Sequence, residues 1–245
     1  MPLAGRGTSE LNPREYSEFV SPDQRYPYKS GRYGSHAAIE RLMGPGTGRT
    51  ALDVGCGGGF VAEALIRQGW EVDGIETDPD LADQAALHCR TVFRIDASFL
   101  SESSVGTYDA LIFGDVLEHV VDPAAVLRSA RGLLQPDGFV VISIPNVAHA
   151  FVRLSLLAGR FNYQDRGILD RTHLRFFTRR TFRDLIKESG YRVLVEVATP
   201  APIEEVMTAA AEGGGAHFLQ PLGAGLARTA PGLFGYQFVA KITPR

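Results

Sequence analysis

Residues 51–60, Ala-Leu-Asp-Val-Gly-Cys-Gly-Gly-Gly-Phe, constrain the fold more than any other stretch. They read as a buried strand that runs into a glycine-rich turn and then opens a helix from about Phe60 to Gln68. Gly55, Gly57 and Gly59 carry no Cβ, so the turn can adopt positive φ and a ligand can approach the main chain. The N–H groups of the following helix aim at whatever is bound. Asp53 places an acid at the lip of this cradle, which repels a pyrophosphate and favours a cationic ligand with an amino-acid end.

Strands and helices alternate around this unit. Strands are expected near 50–54, 71–75, 91–95, 108–113 and 138–144, and helices near 59–68, 79–88 and 122–134. A first helix fits Ser35 to Met43, with Ser35 as its cap. Asp122-Pro123 is a cap followed by proline at the first helical position. Pro136-Asp137-Gly138 is a turn signal before the apolar run Phe139–Ile144, which fits a strand buried on both faces. Such alternation predicts a doubly wound α/β sheet with its ligand at the carboxyl ends of the strands. Beyond Pro145 the pattern changes. A helix fits Arg179 to Ser189, closed by Gly190, and strands fit Tyr191–Ala198 and Tyr236–Ile242. Residues 146–177, rich in arginine and aromatics, read as an insertion over the strand ends. Residues 200–232 read as a short helix at Glu204–Ala211 and a mobile loop, and residues 1–30 as an N-terminal tail.

The length of 245 residues suits one such domain over 31–245 with additions. A net charge of −3 gives no global field for nucleic acid or anionic membrane. Cys56 and Cys89 make neither a disulfide framework nor a metal site, and with no signal-like apolar run near the N-terminus they point to a cytoplasmic protein.

Acids recur at the ends of successive strands. Glu76 closes the second and is placed to accept ribose hydroxyls, while Asp78 caps the next helix. Asp96 closes the third, where it can meet an adenine amino group with the Ala97 amide beside it. The fourth ends in Asp115, followed by Glu118-His119. Gly57-Gly-Gly59-Phe-Val-Ala62 also fits the dinucleotide fingerprint G-x-G-x-x-A, but that reading leaves Asp53, Asp96 and the Asp115–His119 run unexplained.

Leu52-Asp53-Val-Gly55-Cys-Gly57-Gly-Gly59, Glu76, Asp96, Phe113-Gly-Asp115-Val-Leu-Glu118-His119 and Leu134-Gln-Pro136-Asp-Gly138 together resemble class I S-adenosylmethionine-dependent methyltransferases, over roughly residues 33–199. Asn146 and Asp170–Thr178 resemble the subgroup containing ubiquinone-biosynthesis-type and sugar or natural-product O-methyltransferases. The resemblance implies a Rossmann-like, mostly parallel seven-stranded sheet with an antiparallel last strand, and S-adenosyl-L-methionine as cofactor. It implies that the turn Gly55, Cys56, Gly57 and Gly59 holds the methionine part of the cofactor, with Asp53 near its amino group. Glu76, with Thr77 beside it, takes the ribose, Asp96 and Ala97 take the adenine, and Asp115 and Val116 floor the pocket near the sulfonium.

Transfer to a hydroxyl of high pKa needs a base within hydrogen-bond reach. His173 is the first choice, with Asp170 orienting its ring; His149 and His119 follow. No cluster has metal-ligand spacing, so neither Mg²⁺ nor Zn²⁺ is expected. Eight arginines lie between 153 and 183 against Asp165 and Asp170, interleaved with aromatics. They read either as an anionic-handle site on a small-molecule acceptor or as a solvated face. The sequence leaves open N- or C-methylation and a non-catalytic cofactor-binding partner protein; nucleic acid is not the expected substrate.

Overall fold

A computed structural model of the chain describes residues 33–202 and 216–245. Seven strands form one sheet: β1 (Thr50–Val54), β2 (Glu71–Ile75), β3 (Val92–Phe93), β4 (Tyr108–Gly114), β5 (Leu134–Pro145), β6 (Tyr191–Thr199) and β7 (Gln237–Pro244). Their order is β3-β2-β1-β4-β5-β7-β6. The first five are parallel, because each link between them returns through a helical crossover. β7 enters between β5 and β6, antiparallel to both. The expected Rossmann-like sheet is therefore the one observed. Strand order reverses between β1 and β4, which makes the carboxyl ends of these two strands the switch point of the sheet.

The central strands are buried on both faces and divide their side chains by alternation. Leu52, Leu111, Phe113, Val140 and Ile142 join a core roofed by α5 (Pro123–Ala130) and α7 (Arg179–Glu188). Ala51, Ala110, Ile112 and Val141 join the opposite core, under α1 (Ser35–Met43) and α2 (Phe60–Arg67). The remaining helices are α3 (Pro79–Ala85), α4 (Glu102–Val105), α6 (Ala150–Leu157), α8 (Ala216–Thr229) and α9 (Pro231–Phe234). Asp78 caps α3 through Asp80 and Leu81 N–H, and Asp122 caps α5 through Ala125 N–H. Between the faces, Asp73 of β2 is buried but held by Arg90 and the Tyr108 hydroxyl.

Several local expectations change. Ser35 does not cap α1: Gly34 does, and Ser35 is the first helical residue, fully buried under the domain. β3 spans two residues because it pairs with β2 alone, through Gly74 and Ile75. The turn signal at Pro136–Gly138 becomes an irregularity within β5, where Tyr108 pairs with Leu134 and Ala110 with Phe139. Residues 216–229 are helical despite Pro221, since packing outweighs propensity and buries Ala227 completely. The helix expected at Glu204–Ala211 and the tail 1–30 lie outside the described residues.

Candidate active site

The turn after β1 fits its glycines physically. Gly55, Gly57 and Gly59 have φ of 70°, 54° and 82°. Gly55 and Cys56 N–H both donate to the Ile75 carbonyl, tying the turn to β2. A Cβ on Gly55 would stand 2.6 Å from Val116 Cγ2, whereas one on Gly57 would meet nothing within 4 Å. The first position is thus a close contact with the β4 corner, and the second is an open approach to main chain. Gly59 caps α2 in the left-handed conformation without side-chain help.

Two expected ligands, Asp53 and Glu76, cluster at this cradle. Asp53 is 3% exposed, and its Oδ2 has no hydrogen-bond partner among the described residues. Burial, and secondarily the charge of Glu76, push its carboxyl up to about 7. A buried acid in this state calls for a cation. Glu76 reaches back over the turn: one oxygen accepts from Gly57 N–H (2.9 Å), the other from Thr77 (2.7 Å) and Asp78 (2.9 Å) N–H. Cys56 differs from expectation. Its thiol turns beneath the turn, toward Gly74 and Cys89, so only its main chain faces the hollow. The bond with Cys89, then burial, push that thiol up, and both cysteines are free. Asp96 is also displaced. It lies three residues past β3, exposed, capping the turn Ala97–Phe99 through Ser98 N–H.

Asp115 ends β4 with φ +57°, a conformation costing an L-residue roughly 1–2 kcal/mol. Two neighbours fix it there. Ser143 Oγ donates to Oδ1 (2.5 Å), and Gln237 Nε2 lies 2.8 Å from both carboxylate oxygens. Neither was found in the sequence. Gln237 is 122 positions away, and only the insertion of β7 beside β5, pairing it with Pro145, brings it in.

Next to Asp115 stand two imidazoles. His119 and His173 have ring centroids 4.8 Å apart at 72°. His173 Nδ1 is 3.1 Å from the Ile168 carbonyl, which assigns a proton to Nδ1 and leaves Nε2 bare. Burial, then the neighbouring His119, hold His173 below the usual imidazole range, against opposing contributions that include Asp170 and Asp115. The Asp170 carboxylate does not hold the His173 ring as expected; the two residues meet through the backbone, His173 N–H donating to the Asp170 carbonyl (3.1 Å). The carboxylate accepts from the Thr172 hydroxyl (2.7 Å), and Thr172 Oγ1 lies 3.2 Å from His119 Nδ1. Ile168 is therefore the group that orients His173, and Asp170 acts on His119 through Thr172. His149 stands apart from this pair: its Nδ1 accepts from Phe151 N–H as the cap of α6, its ring meets Tyr236, and burial lowers its pKa.

The expectation of no metal-ligand cluster needs correction. Glu118, His119 and His173 offer ligand atoms all within 4.8 Å of one another. The signal is absent from the sequence because the third member is 54 residues from the second and arrives through a loop docked on Glu118: Leu174 and Arg175 N–H donate to the Glu118 carbonyl (2.8 and 3.0 Å). Beyond His173 runs a wall of rings, Phe176, Phe161 and Tyr163, with centroid spacings of 5.5 to 6.5 Å.

The arginines are mostly structural. Arg153 donates to Ala148 O and Arg175 to Val121 O; Arg171 pairs with Asp165, Arg180 with Asp184, and Arg179 and Arg183 share Glu196. Arg160 and Arg166 are exposed and have no side-chain partner among the described residues.

A family model described as "Methyltransferase domain" matches residues 29–196. The ubiquinone biosynthesis O-methyltransferase of Methylococcus capsulatus is 41% identical over 120 residues, 46% of this chain and 51% of that protein. The enzyme of that name from Xanthomonas campestris is 34% identical over the same length, covering 46% and 50%. The chain thus spans about half the length of the curated relatives it matches. Among solved structures, a SAM-dependent methyltransferase from Archaeoglobus fulgidus superposes with a TM-score of 0.58 at 20% identity, over 86% of this chain and 95% of that one. One from Geobacter sulfurreducens in complex with S-adenosyl-L-homocysteine gives 0.55 at 16%, over 86% and 90%.

Proposed function

This chain belongs to the methyltransferase-domain family, and from that premise we propose that it is an S-adenosylmethionine-dependent enzyme that methylates a hydroxyl of a small, ring-bearing acceptor, quinone-like in class. One observation carries the reading: a buried carboxylate with an unpartnered oxygen and an imidazole with a bare nitrogen stand at the ends of β1 and β4, where the sheet reverses. The curated relatives named for O-methylation support it.

The residues fit the cofactor. Asp53 Oδ2 takes an ammonium, Gly57 gives the ligand open main chain while Gly55 lets the turn close against Val116, Glu76 and Thr77 take the ribose, and Asp96 with Ala97 the adenine. When bound, the cofactor supplies a methyl group already activated on a sulfonium. The protein's tasks are positioning, exclusion of water and removal of one proton. Val116 and Asp115 floor the pocket. His173 Nε2 accepts the hydroxyl proton, and the nearby Asp115 and Asp170 charges support the imidazolium that forms. Phe161, Tyr163 and Phe176 present ring faces and edges to a planar acceptor. The segment 146–177 serves as the cover of the pocket, and residues 203–215 of the second expected cover segment, 200–232, together with the start of the expected domain 31–245, lie outside the described residues.

Glu118, His119 and His173 favour a second reading, in which they would hold a divalent cation that would supply Lewis-acid activation of the acceptor hydroxyl. Transfer of labelled methyl from S-adenosylmethionine to catechols, before and after chelation, separates the two. Turnover that survives chelation supports His173 as base, and turnover lost on chelation and restored by Mg²⁺ or Zn²⁺ supports the cation. Binding of S-adenosylhomocysteine with no transfer to catechols, phenols or sugars sinks the enzyme reading in favour of a cofactor-binding partner protein.

The raised carboxyl of Asp53 gives a pH prediction. In the ligand-free fold Asp53 keeps its proton up to about pH 7, but in the unfolded chain only to its ordinary 3.8. Between those values the folded state binds more protons, so stability falls as pH rises through that window and levels off above it. An ammonium beside Asp53 favours the ionised form, so affinity for S-adenosylhomocysteine weakens as pH drops below 7. Calorimetry across pH 5.5–8 checks this; in Asp53→Asn the pH dependence disappears and binding is weak throughout.

A further inference from the structure

Two thiols meet beneath the glycine turn. Cys56 belongs to the turn and Cys89 follows α3; they are the only cysteines of the chain, and both are free and buried. The sequence alone offers no reason to pair them, but β2 does. Gly74, inside that strand, pairs with Asp53 of β1 on one side and Val92 of β3 on the other. A Cβ on Gly74 would lie 2.6 Å from Cys56 Sγ and 3.2 Å from Cys89 Sγ. No positive φ calls for glycine there, and glycine weakens a strand interior. The space of its missing side chain is filled by the two sulfurs, which are hydrogen-bonded and join the core on that face.

The pair supports the cradle from below. Cys56 N–H donates to the Ile75 carbonyl (3.0 Å), one residue past Gly74. The end of α3 touches the turn as well: a Cβ on Gly59 would come 3.0 Å from Ala85 Cα and 3.4 Å from His88 Cδ2. A disulfide holds its sulfurs about 2.05 Å apart, closer than any non-bonded pair. Forming one here moves Cys56 toward Cys89 and takes Gly55 and Gly57, its chain neighbours, with it. Residue exposures of 8% and 7% admit only a small oxidant.

We propose that Cys56 and Cys89 form a reversible disulfide when the protein meets hydrogen peroxide, and that this bond weakens cofactor binding by displacing the glycine turn from β2. Cys56 keeps its proton through its bond to Cys89, its burial and the charges of Asp53 and Glu76, so Cys89 supplies the attacking thiolate. Cys89 loses its proton, attacks one peroxide oxygen and becomes a sulfenic acid, and the departing hydroxide takes that proton to form water. Cys56 then attacks the sulfenic sulfur, and its own proton leaves with the second hydroxide as water. Two thiols lose two hydrogens and two electrons, and one peroxide is reduced to two waters. By linkage, the cofactor disfavours the disulfide by the factor that the disulfide takes from its affinity. The effect on affinity rests on the reading of the turn as the cofactor cradle; formation of the bond does not.

The test treats the full chain with hydrogen peroxide, then alkylates the remaining thiols, maps the peptides by mass and titrates S-adenosylhomocysteine by calorimetry. A Cys56–Cys89 peptide pair should appear within single chains, with affinity roughly 5- to 150-fold weaker, the usual range of coupling between sites. Dithiothreitol should restore both thiols and the affinity. Cys89→Ala and Cys89→Ser should bind alike before and after peroxide; the wild-type mapping and its reversal stand even where a variant folds poorly. The proposal is overturned if both thiols stay alkylatable, or if oxidation stops at a sulfinic acid or joins two chains. It is equally overturned if the linked protein binds as tightly as the reduced one, or if the Cys89 variants lose affinity in peroxide as the wild type does. Reduced wild type that binds no S-adenosylhomocysteine sinks the cradle reading and the affinity effect together, while the mapping still decides whether the bond forms.

Discussion

His173→Asn lowers kcat by about 10²- to 10⁴-fold, the range typical for loss of a positioned general base. Affinity for S-adenosylhomocysteine stays within about twofold, because His173 belongs to the loop docked on Glu118 and not to the glycine turn. Asparagine keeps a group able to donate to the Ile168 carbonyl, so the loop is retained while the bare ring nitrogen is lost. The pH profile supplies the sharper readout. Burial and the like charge of His119 hold the His173 pKa below its ordinary 6.5, so the acid limb of kcat in the wild type lies below pH 6.5. His119→Gln removes one of the two causes that lower it, so the limb moves to higher pH with a milder loss of rate. A profile unmoved by His119→Gln, together with full turnover in His173→Asn, would remove His173 from the chemistry and return the role of base to His149.

Gly55→Val abolishes measurable cofactor binding, a loss of at least about 100-fold. Two costs coincide. A β-branched residue at φ +70° is strained by roughly 1–2 kcal/mol, and its Cβ would lie 2.6 Å from Val116 Cγ2. Overpacking of this kind typically costs a further 1–3 kcal/mol. Relief requires the turn to move away from the β4 corner, which breaks the bonds from Gly55 and Cys56 N–H to Ile75 O and shifts Asp53 relative to the cradle. Binding therefore suffers more than folding. Gly57→Ala makes the control: a Cβ there meets no protein atom, so the empty protein bears only the roughly 1–2 kcal/mol of the positive φ without the clash, and any further loss appears only with ligand. Titration calorimetry and thermal unfolding on both variants check this, and Gly55→Val binding S-adenosylhomocysteine like the wild type would mean that the turn is not the cradle.

Much of the cofactor side was legible in the chain because it is local. The strand–turn–helix at 50–67 places Asp53 and the three glycines within seven residues, and the backbone requirement of the turn fixes their type. Glu76 follows at the end of the next strand by the same repeat. Asp96 was misplaced for the opposite reason: β3 pairs with β2 through only two residues, too few for the strand to run on to Asp96. Periodicity reports the interior of an element and says little about where its pairing stops.

The sequence by itself determined the doubly wound sheet, the carboxyl ends of its strands as the ligand side, and an acidic hollow lined with glycine, since each follows from patterns within one or two adjacent elements. Only the tertiary structure decided what stands opposite that hollow. Gln237 reaches Asp115 because β7 slots between β5 and β6, His173 meets Glu118 and His119 because a distant loop docks on one carbonyl, and most of the arginines are consumed by partners. The first two join residues 54 to 122 positions apart and the arginine pairs cross from a helix to a strand, so none leaves a period or spacing in the chain and packing alone chooses them.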